Sequence, residues 1–365
     1  MPLKIIADEN IPHVQHYFGN HAELVRKPGR NIAHQDLLDA DVLLVRSVTP
    51  VNAALLQNTN VKFVGSTTIG FDHLDIQWLD KANIAWAIAK GCNAVAVTEY
   101  VVSVIAKLQN QGLLSKPNLR AGIIGIGTIG SQVVEKLHSL GFNTLQYDPL
   151  RAITDKNFHS TLLDDFAELD FITLHTPLTT TGSFPTQHLI NKHFLQRQKQ
   201  DCILLNTSRG AVIDFSALKQ YGRHLYWCLD VWENEPVIDP MVLENALIAT
   251  PHIAGYSIQS KYRGIEMIYR KALEKNILTT KVSSLPFPTQ SLSLGSSTRW
   301  QDVVLNVFDP AKTTIEMKQA CMQNPAAFDI LRKNFSERFE FQFLKLEKNN
   351  LSDAERDTLK KLGFS

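Results

Sequence analysis

The sequence predicts an α/β protein built from two doubly wound parallel sheets and followed by a small mixed α+β tail. Short, almost wholly apolar runs recur along most of the chain and are separated by helix-length segments, the pattern of strands buried on both faces of a parallel sheet. A glycine-rich stretch, Gly125-Ile126-Gly127-Thr128-Ile129-Gly130, lies between one such run and a helix-forming segment. Arg209, Glu235 and His252 each stand shortly after a later run, CILLN, LYWCLD or ALIAT. The carboxyl ends of parallel strands open onto one crevice, so these charges are expected to converge.

The size and composition fit this architecture. With 365 residues, 44% hydrophobic and 20% charged, the chain is long enough for roughly two or three domains. Lysine plus arginine (37) nearly cancels aspartate plus glutamate (36), so no whole-chain field favours nucleic acid or an anionic membrane. The first residues, MPLKIIADENIP, lack the basic stretch, apolar core and small-residue cleavage site of a secretory signal. Apolar runs also stop short of the roughly 20 residues a membrane span needs. A cytosolic protein is therefore expected. Cys92, Cys202, Cys228 and Cys321 are widely spaced with no CxxC pair, which predicts reduced core thiols and no metal site.

The elements follow in order. KIIAD, AELVRK, DVLLVRS, VKFVGS and IAWAIA read as the first strand series. Residues 98–114 read as a buried helix capped by Thr98 and stopped near Pro117. A second series begins at Arg120: AGIIGIG, NTLQYD, DFITLHT, CILLNTS, LYWCLDV and ALIATP. After His252, SIQSKYRGIEMIYRKALEKN reads as a long helix on which the chain returns to the first domain. Residues 283–298 are rich in Ser, Pro and Thr and read as a linker. The tail from 299 to 365 carries short amphipathic pieces and is small for a self-sufficient domain.

The glycine stretch follows the apolar strand AGII and precedes SQVVEKLHSLG. In that context it is the fingerprint of a Rossmann-type nucleotide-binding domain: the glycines make the tight turn, and free helix amides receive a pyrophosphate. Asp148 ends the next strand, where a carboxylate accepts hydrogen bonds from ribose hydroxyls and repels a 2′-phosphate, favouring NAD over NADP. Arg151, close by, keeps the second cofactor open. Thr176, Thr207 with Ser208, and Asp230 add polar groups at further strand ends facing the same crevice.

Oxidising a secondary alcohol with such a cofactor requires a base at the hydroxyl as hydride leaves carbon. His252 suits that task, and a nearby Glu235 would fix its ring. Arg209 can present a planar fork to a carboxylate beside the reacting carbon. Together they suit a 2-hydroxy acid.

GIGTIG, HTPL, NTSRGAVID, LDVWENEP and TPHIAG, spanning most of residues 95–256, resemble the D-isomer-specific 2-hydroxyacid dehydrogenase family. The resemblance implies a Rossmann-type NAD-binding domain (96–253) and a discontinuous flavodoxin-like substrate domain (1–95 and 254–282). It also implies catalytic roles for Arg209, Glu235 and His252, and NAD contacts from Gly125, Gly127, Thr128, Ile129, Gly130, Asp148, Thr176, Asp230 and Gly255. ADENIP, LLVRSVTPVN, GSTTIGFDHLD, KGCNAVAVTEY and FDILRKNFSERFEF extend the likeness over nearly the whole chain. They point to a branch with an added C-terminal dimerisation domain (299–365), hence a homodimer, whose substrate is a 2-hydroxy acid with a phosphate at its far end. On that likeness Ser47, Thr68 and Tyr256 are substrate-binding candidates. Arg46 is a candidate for the phosphate, and Arg332, Lys333 and Arg338 are candidates reaching it from a partner subunit. Phe339 stands where a second consecutive basic residue is expected. Two other readings stay open: a dehydrogenase of another phosphorylated hydroxy acid such as 3-phosphoglycerate, and a non-catalytic NAD-sensing protein of the same fold.

Overall fold

Strands form where the apolar runs stand. The computed structural model describes residues 3–295, 298–324, 326–336, 338–347 and 351–365, and the chain forms two units, residues 1–93 with 257–288 and residues 94–256 with 289–365. In the first unit β1 (Leu3–Asp8), β2 (Ala22–Lys27), β3 (Val42–Val45), β4 (Phe63–Ser66) and β5 (Ala85–Ile88) make an all-parallel sheet in the order β2-β1-β3-β4-β5. This is the flavodoxin-like order. β3 and β4 are buried at every position, which explains their unbroken apolar reading.

The helix Ile258–Glu274 completes this unit. Ser257 caps it by accepting from the Ser260 amide, and Ile265, Ile268, Tyr269 and Ala272 recur at helical spacing and join Ile5, Ala7 and Phe63 in one apolar cluster. The helix comes close to the sheet at Gly65, where an added Cβ would fall 2.4 Å from Ile268 Cγ2.

The second unit carries β6 (Arg120–Ile124), β7 (Asn143–Tyr147), β8 (Phe171–Leu174), β9 (Ile203–Asn206), β10 (Tyr226–Leu229) and β11 (Ile248–Ala249) in the parallel order β11-β10-β9-β8-β6-β7. The order reverses at β6, between β7 and β8. That switch point is where open α/β sheets bind ligands.

The helix expected to start at Thr98 spans Ala94–Asn110. Thr98 does not cap it; its hydroxyl donates back to the Ala94 carbonyl at 2.9 Å, inside the helix. The chain returns to the first unit after Tyr256 rather than after residue 253, because hydrogen bonds described below hold residues 252–254 to the second unit.

The stretch 283–298 contains β12 (Gln290–Leu292), which pairs in parallel with β13 (Leu344–Leu346). The tail does not stand apart from the nucleotide-binding unit. Trp300, Val303, Phe341, Leu359 and Phe364 share one core cluster with Val101, Ile105, Ile123 and Leu137. The helix Pro310–Gln323 lies along β11, and Thr314 Oγ1 accepts from the Ala249 amide at 2.9 Å, so a tail side chain satisfies a donor of the edge strand. Among the described residues no helix is long and apolar enough to cross a membrane.

Candidate active site

β9, β10 and β11 are neighbours, with Leu229 in register with both Asn206 and Ala249. Arg209, Asp230 with Glu235, and His252 therefore leave consecutive strand ends. Gly210 lets the first two loops touch: a Cβ there would fall 2.0 Å from the Trp232 carbonyl carbon. No other residue type fits without moving the backbone that leads to Glu235.

Glu235 and His252 are brought together. Glu235 Oε2 lies 2.8 Å from His252 Nδ1, and Oε1 accepts the Trp232 amide at 2.8 Å. The pair is partly buried, with His252 29% and Glu235 21% exposed. Burial pushes the Glu235 carboxyl up, but the adjacent His252 and the bonds from His252 and Trp232 outweigh it and leave it below its ordinary value. With Nδ1 engaged by the carboxylate, Nε2 is the ring nitrogen left to exchange a proton. His252 itself has a left-handed backbone, φ 57°, a conformation uncommon outside glycine and one that concentrates at functional sites.

Asp230 holds that backbone in place. It is 1% exposed; Oδ1 accepts from Thr250 Oγ1 (2.6 Å) and the Ile253 amide (2.8 Å), and Oδ2 accepts from the Ala254 amide (2.9 Å). Burial raises its carboxyl above the ordinary range. Expected as a cofactor contact, Asp230 sits inside the unit and fixes the loop that carries His252. Tyr100 extends the network, its hydroxyl 2.6 Å from Thr250 Oγ1. Arg338 reaches the same loop, donating from Nη2 to the carbonyls of Ala96 (2.6 Å) and Ala254 (2.7 Å). At 5% exposure, Arg338 is an internal clamp of its own chain, not a phosphate ligand offered to a partner.

The glycine loop fits a dinucleotide. Gly127 precedes the helix Thr128–Ser139, Gly125 has φ +90°, and a Cβ on Gly130 would meet the Gly125 oxygen at 1.9 Å. Thr128, Ile129 and Gly130 form the first turn of that helix, where free amides point outward. Thr176 Oγ1 at the end of β8 is buried and has no hydrogen-bond partner among the described residues. Thr207 and Ser208 stand at the end of β9 with hydroxyls turned inward, toward His175 Nδ1 (3.2 Å) and Asn206 Oδ1 (2.8 Å). His175 is half-buried, and burial alone pushes its imidazole down to about 3; it is a neutral hydrogen-bonding group. Gly255 follows the clamped loop, half-buried.

Asp148 accepts the Ile126 amide (2.9 Å) and the Arg151 amide (2.9 Å), tying the end of β7 to the glycine loop. Arg151 is committed elsewhere, donating to the Ile126 carbonyl (3.0 Å) and pairing with Asp155 (3.2 Å). This removes the cation that kept a 2′-phosphate open.

In the first unit, Ser47 and Thr68 follow the adjacent strands β3 and β4. Ser47 is exposed, and Thr68 Oγ1 lies 2.9 Å from Ser66 Oγ. Arg46 pairs through Nε with the fully buried Asp8 at 3.0 Å, so part of its charge is neutralised within the sheet edge. Tyr256 meets the tail: its hydroxyl accepts from Arg332 Nε at 3.0 Å within the same chain. The family resemblance offers Arg332 as a candidate from a partner subunit; here its helix folds back onto Tyr256 of its own chain. Lys333 is exposed.

Comparison with known proteins accords with this geometry. Residues 101–254 match the D-isomer specific 2-hydroxyacid dehydrogenase NAD binding domain, and residues 287–363 match a domain of unknown function (DUF3410). An erythronate-4-phosphate dehydrogenase of Coxiella burnetii (strain RSA 493 / Nine Mile phase I) is 45% identical over 348 residues, 94% of this chain and 95% of that one. Another, of Hahella chejuensis, is 39% identical over 379 residues, covering 100% of this chain and 99% of that one. The NAD+-bound 3-phosphoglycerate dehydrogenase of Entamoeba histolytica shares the fold, with a TM-score of 0.64 at 21% identity over 78% of this chain and 100% of that one. The chain belongs to the erythronate-4-phosphate dehydrogenase family, a branch of the NAD-dependent D-isomer-specific 2-hydroxyacid dehydrogenases.

Proposed function

We propose that the chain oxidises 4-phospho-D-erythronate at its 2-hydroxyl to 2-oxo-3-hydroxy-4-phosphobutanoate, a step in making pyridoxal 5′-phosphate. The observation that carries this reading is the Glu235–His252 pair, 2.8 Å apart on the strand edge that also bears Arg209 and the glycine loop, taken with near-full-length likeness to enzymes of that name. Bound NAD supplies the acceptor for the hydride leaving the carbinol carbon. His252 Nε2 takes the hydroxyl proton, and Glu235 holds the ring and balances the imidazolium that results. Arg209 orients the substrate carboxylate with its planar fork. Ser47 and Thr68 are proposed as hydroxyl donors to the substrate, and Thr176, Asp148 and the glycine-loop amides as the groups that hold NAD.

The protein is further proposed to work as a homodimer in the cytosol. Ile315, Met322 and Ile330, on consecutive tail helices, are about half or more exposed (58%, 49% and 54%), and Ile315 and Met322 lie two helical turns apart on one face. Such side chains support a subunit interface. All four cysteines are buried free thiols, which suits a reducing compartment. Turnover of purified protein with NAD on 4-phosphoerythronate and on 3-phosphoglycerate tests the substrate. Preference for 3-phosphoglycerate would transfer the assignment to the neighbouring reaction, and turnover of neither would favour an NAD-sensing role.

A further inference from the structure

Arg332 lies on the helix Ala327–Asn334. One turn earlier the fully buried Phe328 anchors that helix in the apolar cluster that includes Trp232, the residue whose amide holds Glu235. Residues four apart share a helix face, so the anchor also fixes where Arg332 stands. Its Nε donates to the Tyr256 hydroxyl at 3.0 Å, and its guanidinium carbon lies 5.9 Å from the Tyr256 ring centre. The ring is braced from its other neighbour by Phe335, with centroids 6.3 Å apart.

The guanidinium is half-buried and lies in the field of Glu235 and Asp230. Among the described residues it makes no ion pair, and Tyr256 is its one hydrogen-bond partner. Among the described residues, Nη1 and Nη2 therefore have no hydrogen-bond acceptor. A partly buried cation held this firmly, with its fork unused, is arranged for an oxyanion from outside the chain. Arg209 serves a carboxylate from the end of β9, and Arg46 is already paired with Asp8 at 3.0 Å.

We propose that Arg332, steadied by Tyr256, binds the phosphate of the substrate, and that the tail supplies this group to the active site of its own chain. This rests on the phosphorylated-substrate reading above.

The test compares the wild type with R332M and R332K on 4-phosphoerythronate and on erythronate. Losing a charge-assisted fork is expected to cut the preference for the phosphorylated compound, as the ratio of kcat/KM values, by roughly 10–100-fold in R332M. The loss should fall mainly on KM, with partial recovery in R332K. Inorganic phosphate, competing with substrate, should weaken as an inhibitor by a similar factor. NAD affinity, which a merely structural defect would move, should be kept. An unchanged substrate ratio with unchanged phosphate inhibition overturns this assignment alone. A wild type without turnover on 4-phosphoerythronate overturns the functional reading and this one together.

Discussion

The two oxygens of Glu235 have separate duties: Oε2 faces His252 Nδ1 at 2.8 Å, and Oε1 accepts the Trp232 amide at 2.8 Å. One carboxylate thus ties the imidazole to the loop after β10. Only a group with two acceptor atoms in this geometry satisfies both neighbours.

Glu235→Gln keeps the size but leaves one acceptor oxygen for two donors, so either the Trp232 amide or the imidazole meets an NH2 group. Turnover is expected to fall by about 10²-fold, with NAD affinity kept. The same variant has a stability signature. Because the folded carboxyl sits below its ordinary value, ionised Glu235 stabilises the fold above the unfolded carboxylate range of about 4.3. That contribution is lost as pH falls through the lower folded value. The melting-temperature gap between wild type and E235Q should therefore be widest near neutrality and close in acid. A gap independent of pH would count against the pairing.

Asp230→Asn places an amide where a carboxylate accepts from Thr250, Ile253 and Ala254. One NH2 then faces a backbone N–H inside the unit. A buried donor left unmatched costs about 1–3 kcal/mol, so the melting temperature should drop. Because the loop carries His252, kcat should fall more than the KM for NAD rises. A variant with a raised KM for NAD and an unaltered kcat would return Asp230 to the role of a cofactor contact.

Asp148→Ala should raise the Kd for NAD by roughly tenfold or more and narrow the preference over NADP, since the repelling carboxylate is gone. Direct titration of both cofactors measures this. Arg151 is held by Asp155 and the Ile126 carbonyl, so freeing it with Asp155→Ala in the same background should improve NADP binding further.

The dimer is best tested by charge rather than by truncation. Trp300, Phe341 and Phe364 belong to the core of the second unit, and each fully buried large side chain contributes about 1.5–3 kcal/mol. Removing the tail would strip a large part of a typical stability of about 5–15 kcal/mol, so deletion should yield unfolded protein. Ile315→Glu with Ile330→Glu alters only exposed positions and should give a folded monomer by sedimentation. A dimer that survives both charges would place the interface elsewhere.

Much of this was legible in the sequence, for physical reasons. A parallel strand buried on both faces has to be apolar throughout, so VLLV, ILLN and YWCL announce themselves, and charges at the carboxyl ends of neighbouring strands such as ILLN and YWCL must line one edge of their sheet. What escaped were elements without that signature. β12 has two exposed residues in three, which gives no apolar run. The helix Pro310–Gln323 buries Thr313 and Thr314 beside Met317 and Cys321, so its inner face is half polar. Arg338 and Glu340 alternate with phenylalanines and read as half-exposed, yet both are buried. That Asp230 serves its own loop depends on backbone amides, which carry no sequence signal at all.

The central claim is that His252, held by Glu235, carries the proton in an NAD-dependent oxidation. The most direct measurement is substrate-dependent formation of reduced nicotinamide by His252→Ala beside the wild type, with NAD binding titrated in both. Removing the general base is expected to lower turnover by about 10²–10⁴-fold while the Kd for NAD stays within about twofold, because the glycine-loop amides, Asp148 and Thr176 proposed to hold NAD lie on other loops. Turnover near the wild-type rate in the variant would contradict it.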